Sequence, residues 1–300
     1  MKQLFSFVLV LFCLLGSSCK KFLDYTPKGV VSDDQLNSPT AVEALCTAAY
    51  AAIGNDDRHI QFTGMWAWAS LRGGDAYKGG GGVGDSPWYD QFEKFNLVTP
   101  DIVQIDNTWI AIYAGIGRAN IALAKLKNLS VADFPNKVVR TAEMRFLRGH
   151  LHFLLKEMFK NIPYVSDTVQ NAALVDNTTL TNIQLWDAIA ADFQYGVDNL
   201  PVKQTDIGRA TKIAAMAYLA KVNLYEAYEQ DQTNKVTAIN AARLGNVVTL
   251  CNDVIASGAN SLSPDFGNNF LYPLSENNSE SIFAIQYSIN DGTTDGRIDK

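Results

Sequence analysis

The strongest restriction on the fold of this chain is a spacing. In six successive stretches the apolar residues return at alternating intervals of three and four, which lines their side chains along one stripe of a helix. Ser38-Pro39 offers an N-cap and a first-turn proline, and Val42, Leu45, Cys46, Ala49 and Ile53 follow on one side. From Asp106 the register is kept by Trp109, Ile112, Ile116, Ala119, Leu123 and Leu126. From about Arg140 it is kept by Leu147, Leu151, Leu154 and Met158, until the chain nears Pro163. A fourth stretch carries Trp186, Ile189, Phe193, Val197 and Leu200 and stops at Pro201. A fifth alternates alanines with Ile213, Leu224 and Tyr228, so a neighbouring helix can approach closely. A sixth ends at Gly258, a C-cap residue. Helices of about 18–22 residues joined in this way pair as antiparallel hairpins, and stacked hairpins of that size are TPR-like. The expected class is therefore mainly α, with TPR-like antiparallel hairpins and long irregular loops. A few short strands are expected near the C-terminus, where "SIFAIQYSI" (281–289) reads as strand.

The first residues read as a leader. Lys2 precedes a largely apolar run from Leu4 to Leu15, short for a membrane span but suited to a secretory signal. Gly16, Ser17 and Ser18 then stand directly before Cys19, the arrangement of a bacterial lipoprotein signal in which the cysteine is acylated. Leu15 lies one place further from Cys19 than that pattern usually has it. Two or three acyl chains hold a protein stably on a membrane. With Cys19 acylated, only Cys46 and Cys251 remain to pair. Both fall on apolar helical faces, where a cysteine acts as a small buried hydrophobe.

The stretch "GGDAYKGGGGVGDSPWYDQF" (73–92) contains a formal G-x-G-x-x-G at Gly79, Gly81 and Gly84. A dinucleotide loop must follow a buried strand and open a helix whose amides meet the pyrophosphate. Upstream here is "QFTGMWAWASLRGGDAYK", which is no such strand, so nucleotide binding is rejected. A formal charge of −6 with no basic cluster beyond the N-terminus argues against a nucleic-acid partner. His59, His150 and His152 offer no metal spacing, and no nucleophile motif is present. "NDGTTDGRID" places Asp291, Asp295 and Gly296 in the order of a calcium loop. Thr293 stands where an acid is needed, so a solvated turn is the better reading. No cofactor and no metal are expected.

The glycine-rich loop suits a sugar or peptide. Sugar rings stack their C–H faces on aromatics and hydrogen-bond through their hydroxyls. Asp75, Tyr77, Lys78, Asp85, Trp88 and Tyr89 supply both kinds of contact, and glycines let the loop bend and approach a ligand. Trp66 and Trp68, in the more apolar segment, are expected to be the core members, with Trp88 the free stacking platform.

"SCKKFLDYTPKG", "WIAIYAGIGRANIALAKL", "AEMRFLRGHLHFLLKEMFKNIPYV", "RATKIAAMAYLAKVNLYEAY" and "ESIFAIQYSINDGTTDG" together resemble the SusD/RagB family of Bacteroidetes outer-membrane lipoproteins. The blocks stand in the family's order; Glu143, Arg145, Phe146 and Arg148 match its helical signature, as do Tyr113, Arg118 and Asn120. The resemblance implies an outward-facing protein of the cell outer membrane, lipid-anchored at Cys19 and without catalysis. It would bind oligosaccharide, or alternatively peptide, and deliver it to a SusC/RagA-type TonB-dependent transporter. A helical glycoside hydrolase or lyase is the competing reading. The implied organisation is a signal peptide over 1–18, a TPR-like helical domain over 19–258, and over 259–300 the start of a C-terminal domain that is cut short. The loop after the second helix commonly contributes ligand contacts in this family, which implicates residues 75 to 89.

Overall fold

The computed structural model describes residues 33–54, 66–169 and 171–286. Seven α-helices lie among them: α1 (Pro39–Ile53), α2 (Pro87–Lys94), α3 (Val103–Asn128), α4 (Lys137–Phe159), α5 (Asn182–Asn199), α6 (Lys212–Ala227) and α7 (Ala241–Ala256). A two-stranded antiparallel ribbon, β1 (Tyr228–Gln230) and β2 (Val236–Ile239), joins α6 to α7. The ribbon therefore lies before the last helix. In the segment read as strand, residues 281–286 form none, and the remainder falls outside the described residues. Cys19, the leader and Asp291, Asp295 and Gly296 are likewise outside them.

Local chemistry starts and stops these helices much as expected. The Ser38 side chain accepts a hydrogen bond from the Ala41 amide at 3.3 Å, capping α1. Thr181 and Gln184 form a reciprocal capping box on α5, so two otherwise orphaned amides are satisfied. Beyond α7, Gly258 takes the left-handed conformation, at φ +62°.

From α3 onward each long helix packs on the next: α3 on α4, α4 on α5, α5 on α6, α6 on α7. Helix α1 lies against α3 and α4. Val42, Cys46 and Ala49 from α1 join Ile112, Ile116, Ala119 and Leu123 from α3 and Leu147, Leu151 and Leu155 from α4 in one core. At its centre Phe193 stacks flat on Tyr218 at 5.0 Å while Phe146 meets Phe193 edge-on at 5.5 Å. Close approach depends on missing side chains. A Cβ on Gly196 of α5 would lie 2.9 Å from the Ala215 Cβ of α6, and one on Gly149 would press on Asp192 and Phe193 at 3.2 Å.

Charges are folded into the helix interfaces. Glu143 is fully buried and receives Arg140 at 2.8 Å and Arg209 at 2.9 Å, while Glu43 of α1 also binds both arginines. Asp192 of α5, also fully buried, holds Arg148 at 2.7 Å and Arg145 at 2.8 Å. Arg148 is buried as well, and Asp192, Asp167 and Asn120 supply its partners. Burial pushes the Asp192 carboxyl up, but the Arg148 and Arg145 guanidinium groups outweigh that and hold it below the usual carboxylate range.

The long connection from α4 to α5 is tied back onto the helices. The Tyr113 hydroxyl donates to the Pro163 carbonyl at 2.7 Å and the Asn120 amide donates to the Val165 carbonyl at 2.9 Å. His152 is buried with Nε2 accepting from the Val165 amide at 3.1 Å, so its proton sits on Nδ1, 3.0 Å from the Arg148 carbonyl. The motif residues of α3 and α4 thus serve the scaffold: they fasten the segment around 161–165.

Cys46 is buried as expected, but Cys251 is exposed, and both are free thiols. The cause is that α7 has a covering helix on one side only. Val248, Cys251 and Ile255 face away from α6, with Val248 and Ile255 61% and 75% exposed.

Candidate functional site

The segment between α1 and α3 forms a small second core. A π-helical turn, Ala67–Leu71, buries Ala67 and Leu71. Pro87 opens α2, a short amphipathic helix whose single fully buried residue is Phe92. Leu71, Phe92 and Ile102 make the centre of this cluster, and Trp68, Trp88, Tyr89 and Ile105 pack around it.

The glycine loop lies between the π-turn and α2. Gly79, Gly80 and Gly82 have φ of +67°, +72° and +109°, a backbone that favours glycine. At Gly80 a Cβ would come within 2.3 Å of Asp85 Oδ2, so the loop closes only on a bare backbone there. The Lys78 amide donates to Glu93 Oε2 at 3.0 Å, and its ammonium donates to the Gly82 carbonyl at 2.8 Å. Asp85 accepts from the Gly81 amide at 3.0 Å. Among the described residues no strand precedes the loop, and α2 is only eight residues long, so the G-x-G-x-x-G is no dinucleotide cradle.

Of the six proposed ligand residues, all fall on this loop and on the first turn of α2, in three pairs. Tyr77 is 80% exposed and Asp75 is exposed, both free to meet a ligand. Lys78 and Asp85 brace the loop by bonding its backbone. Trp88 and Tyr89 are half-buried, with ring centres 3.7 Å apart. The expectation for the tryptophans needs correction. Trp66 is 41% exposed and stacks on Tyr89 at 4.9 Å, whereas Trp88 meets Phe92 edge-on at 5.5 Å and belongs in part to the small core. The reason is the amphipathic turn: Phe92 lies one turn after Trp88 on the same face of α2. The result is a ladder of three rings, Trp66, Tyr89 and Trp88, beside the loop.

A cleft of about 510 Å³ opens on the other side of the small core, between Trp68, Arg72, Phe92, Ile105, Glu157 and Phe159. Trp68 Nε1 is buried there with no hydrogen-bond partner among the described residues. Arg72 lies over the Phe95 ring at 4.2 Å, and Glu157 accepts from the Tyr225 hydroxyl. Sequence reasoning missed Arg72, Glu157 and Phe159. Glu157 and Phe159 come from the end of α4, distant in sequence, and only the packing of α4 beside α3 brings them to this loop. Among the described residues no cluster of metal ligands exists, and no helix is long and apolar enough to cross a membrane.

Comparison with known proteins fits this geometry. The family model for SusD-like proteins, described as starch-binding associating with outer membrane, matches residues 21–224. "SusD-like protein P2" of Formosa agariphila is 27% identical over 95% of this chain and 53% of its own length. A "SusD-like protein" of Bacteroides ovatus is 28% identical over 91% of this chain and 48% of its own. The chain thus spans about half the length of the curated relatives it matches. Among solved structures, one with xylogluco-oligosaccharide superposes with a TM-score of 0.63 at 26% identity, covering 83% of this chain and 46% of that one. A laminarin-binding SusD-like protein superposes with a TM-score of 0.66 at 23% identity, over 82% of this chain and 50% of its own. The ordered helices, the arginine-rich signature of α4 and the family match over most of its length agree: this chain belongs to the SusD-like family.

Proposed function

We propose that this protein binds an oligosaccharide at the loop and ring ladder of residues 66–92 and performs no chemistry on it. The observation that carries the reading is the ladder itself. Three aromatic rings are packed one on the next, with Trp66 41% exposed at the outer end, beside a glycine loop that Lys78, Asp85 and Glu93 pin in place. Preset aromatic faces suit sugar C–H surfaces, and a braced loop loses little freedom on binding. The xylogluco-oligosaccharide complex of a relative supports the same ligand class. In this reading Tyr77 stacks, Trp88 and Tyr89 offer their exposed ring edges, Asp75 hydrogen-bonds hydroxyls, and Lys78 and Asp85 hold the loop's shape and offer remaining bonding capacity. Trp66 joins them.

The reading extends to the cell. Cys19 carries the lipid, the protein faces outward from the outer membrane, and the captured sugar passes to a SusC/RagA-type TonB-dependent transporter. The family's description supports the membrane. Residues 19–258 form the helical domain and 259–300 begin a second one. Leu262, Phe266, Phe270 and Tyr272 are each more than 70% exposed, as suits a segment that packs elsewhere in a longer chain.

Calorimetry against a panel of neutral oligosaccharides and peptides tests the site. Tyr77→Ala and Trp66→Ala should each weaken binding by about 1–3 kcal/mol with thermal stability nearly unchanged. Trp88→Ala should lower both affinity and stability, since its ring also covers Phe92. Unaltered affinity in all three variants would remove the site from this loop, and preference for peptides would replace the ligand class.

A further inference from the structure

A second cleft lies at the far end of the α3–α4 pair. Ile105, at the small core behind the ring ladder, and Lys127, at this cleft, are 22 residues apart on one continuous helix, about 33 Å at 1.5 Å per residue. The cleft measures about 350 Å³ and is lined by Lys127, Lys137, Arg145, Arg148, Asp167 and Tyr195. Four cations therefore share one cavity with a single lining carboxylate, in a chain whose formal charge is −6.

The cations are not equally engaged. Arg148 is saturated: Asp192 takes two of its nitrogens and Asp167 and Asn120 the third. Lys127 pairs with Asp167 and is 57% exposed. Arg145 gives one nitrogen to Asp192 and one to the Ala191 carbonyl, and lies over the Tyr195 ring at 4.4 Å. Among the described residues its remaining terminal nitrogen has no acceptor. Lys137 donates only to main-chain carbonyls, of Leu129 at 2.6 Å and Lys127 at 3.2 Å, and has no carboxylate partner among the described residues. Asp192, beneath, is already spent on two arginines. The cavity is thus left with uncompensated positive charge and open donors arranged by the fold. The first turn of α4 opens onto it through Lys137, and its N-cap, Asn136, makes no side-chain cap.

We propose that this cleft is an oxyanion site, taking a carboxylate, sulfate or phosphate group between Lys137, Lys127 and Arg145. Guanidinium and ammonium donors around a partly enclosed cavity recognise that shared chemistry whether the group is free or borne on an acidic sugar. The site is independent of the neutral-sugar reading of the ring ladder, from which it is separated by the length of α3.

Titration of the full chain with sodium sulfate, glucuronate and glucose, at constant ionic strength set with sodium chloride, tests this by calorimetry and melting. Sulfate and glucuronate binding together assigns the cleft to the oxyanion itself; glucuronate binding alone assigns it to a sugar-borne carboxylate. In either case Lys137→Gln and Lys127→Gln should each weaken binding about fivefold, the loss of one charge-assisted contact at a half-open site. Lys203→Gln, on an exposed loop elsewhere, should not. Sulfate's general stabilising exclusion from protein surfaces would shift all variants equally. Equal shifts in all variants, no binding of sulfate or glucuronate, or glucose binding that Lys137→Gln and Lys127→Gln weaken as they weaken glucuronate, would overturn the proposal. The ring-ladder variants leave these titrations unchanged, so the two sites fail separately.

Discussion

At the scale of single residues, the most consequential groups are titratable side chains that the fold keeps neutral. Burial pushes His152 down to about 4, with Asp192 only partly opposing it; burial and then Lys221 push His150 down to about 4. Unfolded, each imidazole titrates near about 6.5. Between those values the unfolded chain takes up protons that the folded chain refuses, so stability is full above pH 6.5 and falls as pH drops toward 4. His150 is the cleaner test, because its Nδ1 is buried without a partner, whereas His152 also secures Val165. His150→Phe removes the titration at similar ring size. Urea midpoints at pH 7 and pH 4.5 should differ less in this variant than in the parent, and an equal drop would mean His150 is not held neutral. Lys156 acts at the other end of the scale. Burial, then Lys160, lowers it to about 8 while its ammonium sits over Trp186 at 4.7 Å. Its burial disfavours folding below pH 8, and that penalty is relieved between 8 and its unfolded value.

At the scale of elements, the helix pairs are set by what is absent from their surfaces. Gly196 lets α5 approach α6 until backbone and methyl groups touch, and Gly149 does the same for α4 against α5. Gly196→Ala brings a methyl 2.9 Å from Ala215 Cβ, which cannot rotate away. Overpacking of this kind costs about 1–3 kcal/mol, against about 1 kcal/mol regained from helix preference. A net loss of about 1 kcal/mol in denaturant unfolding is expected; a gain would mean that α5 and α6 separate without cost. Helix α7 shows the opposite case. Its stripe of Val248, Cys251 and Ile255 has helical spacing but no covering partner among the described residues, so the pattern that announces burial is only half used.

At the scale of the whole molecule, the proposed cell-surface role depends on Cys19. Two or three acyl chains suffice for stable anchoring where one does not, so the reading stands on one thiol. Cys19→Ser should abolish fatty-acid labelling and release the protein from the membrane fraction. Equal labelling of parent and variant would end the lipoprotein assignment, without touching the ligand site. The two proposed sites sit at opposite ends of α3 and α4, which makes that helix pair the frame on which both are spaced.

What the sequence determined by itself is what short-range physics governs. Spacings of three and four, Ser38-Pro39, Thr181 and the prolines after α4 and α5 place most long helices, because capping and periodicity act within a few residues. The loop proposed as the ligand site could be picked out too, since its glycines, Tyr77, Trp88 and Tyr89 are neighbours in the chain. Tertiary structure alone decided which of those aromatics is free. Trp66 and Trp88 have the same chemistry, and only the seating of Phe92 between Leu71 and Ile102 turns Trp88 inward. It also buried Arg148, because the compensating Asp192 stands 44 residues away on another helix, and it left Cys251 in the open, because a helical stripe states a preference for burial and cannot state whether a partner arrives.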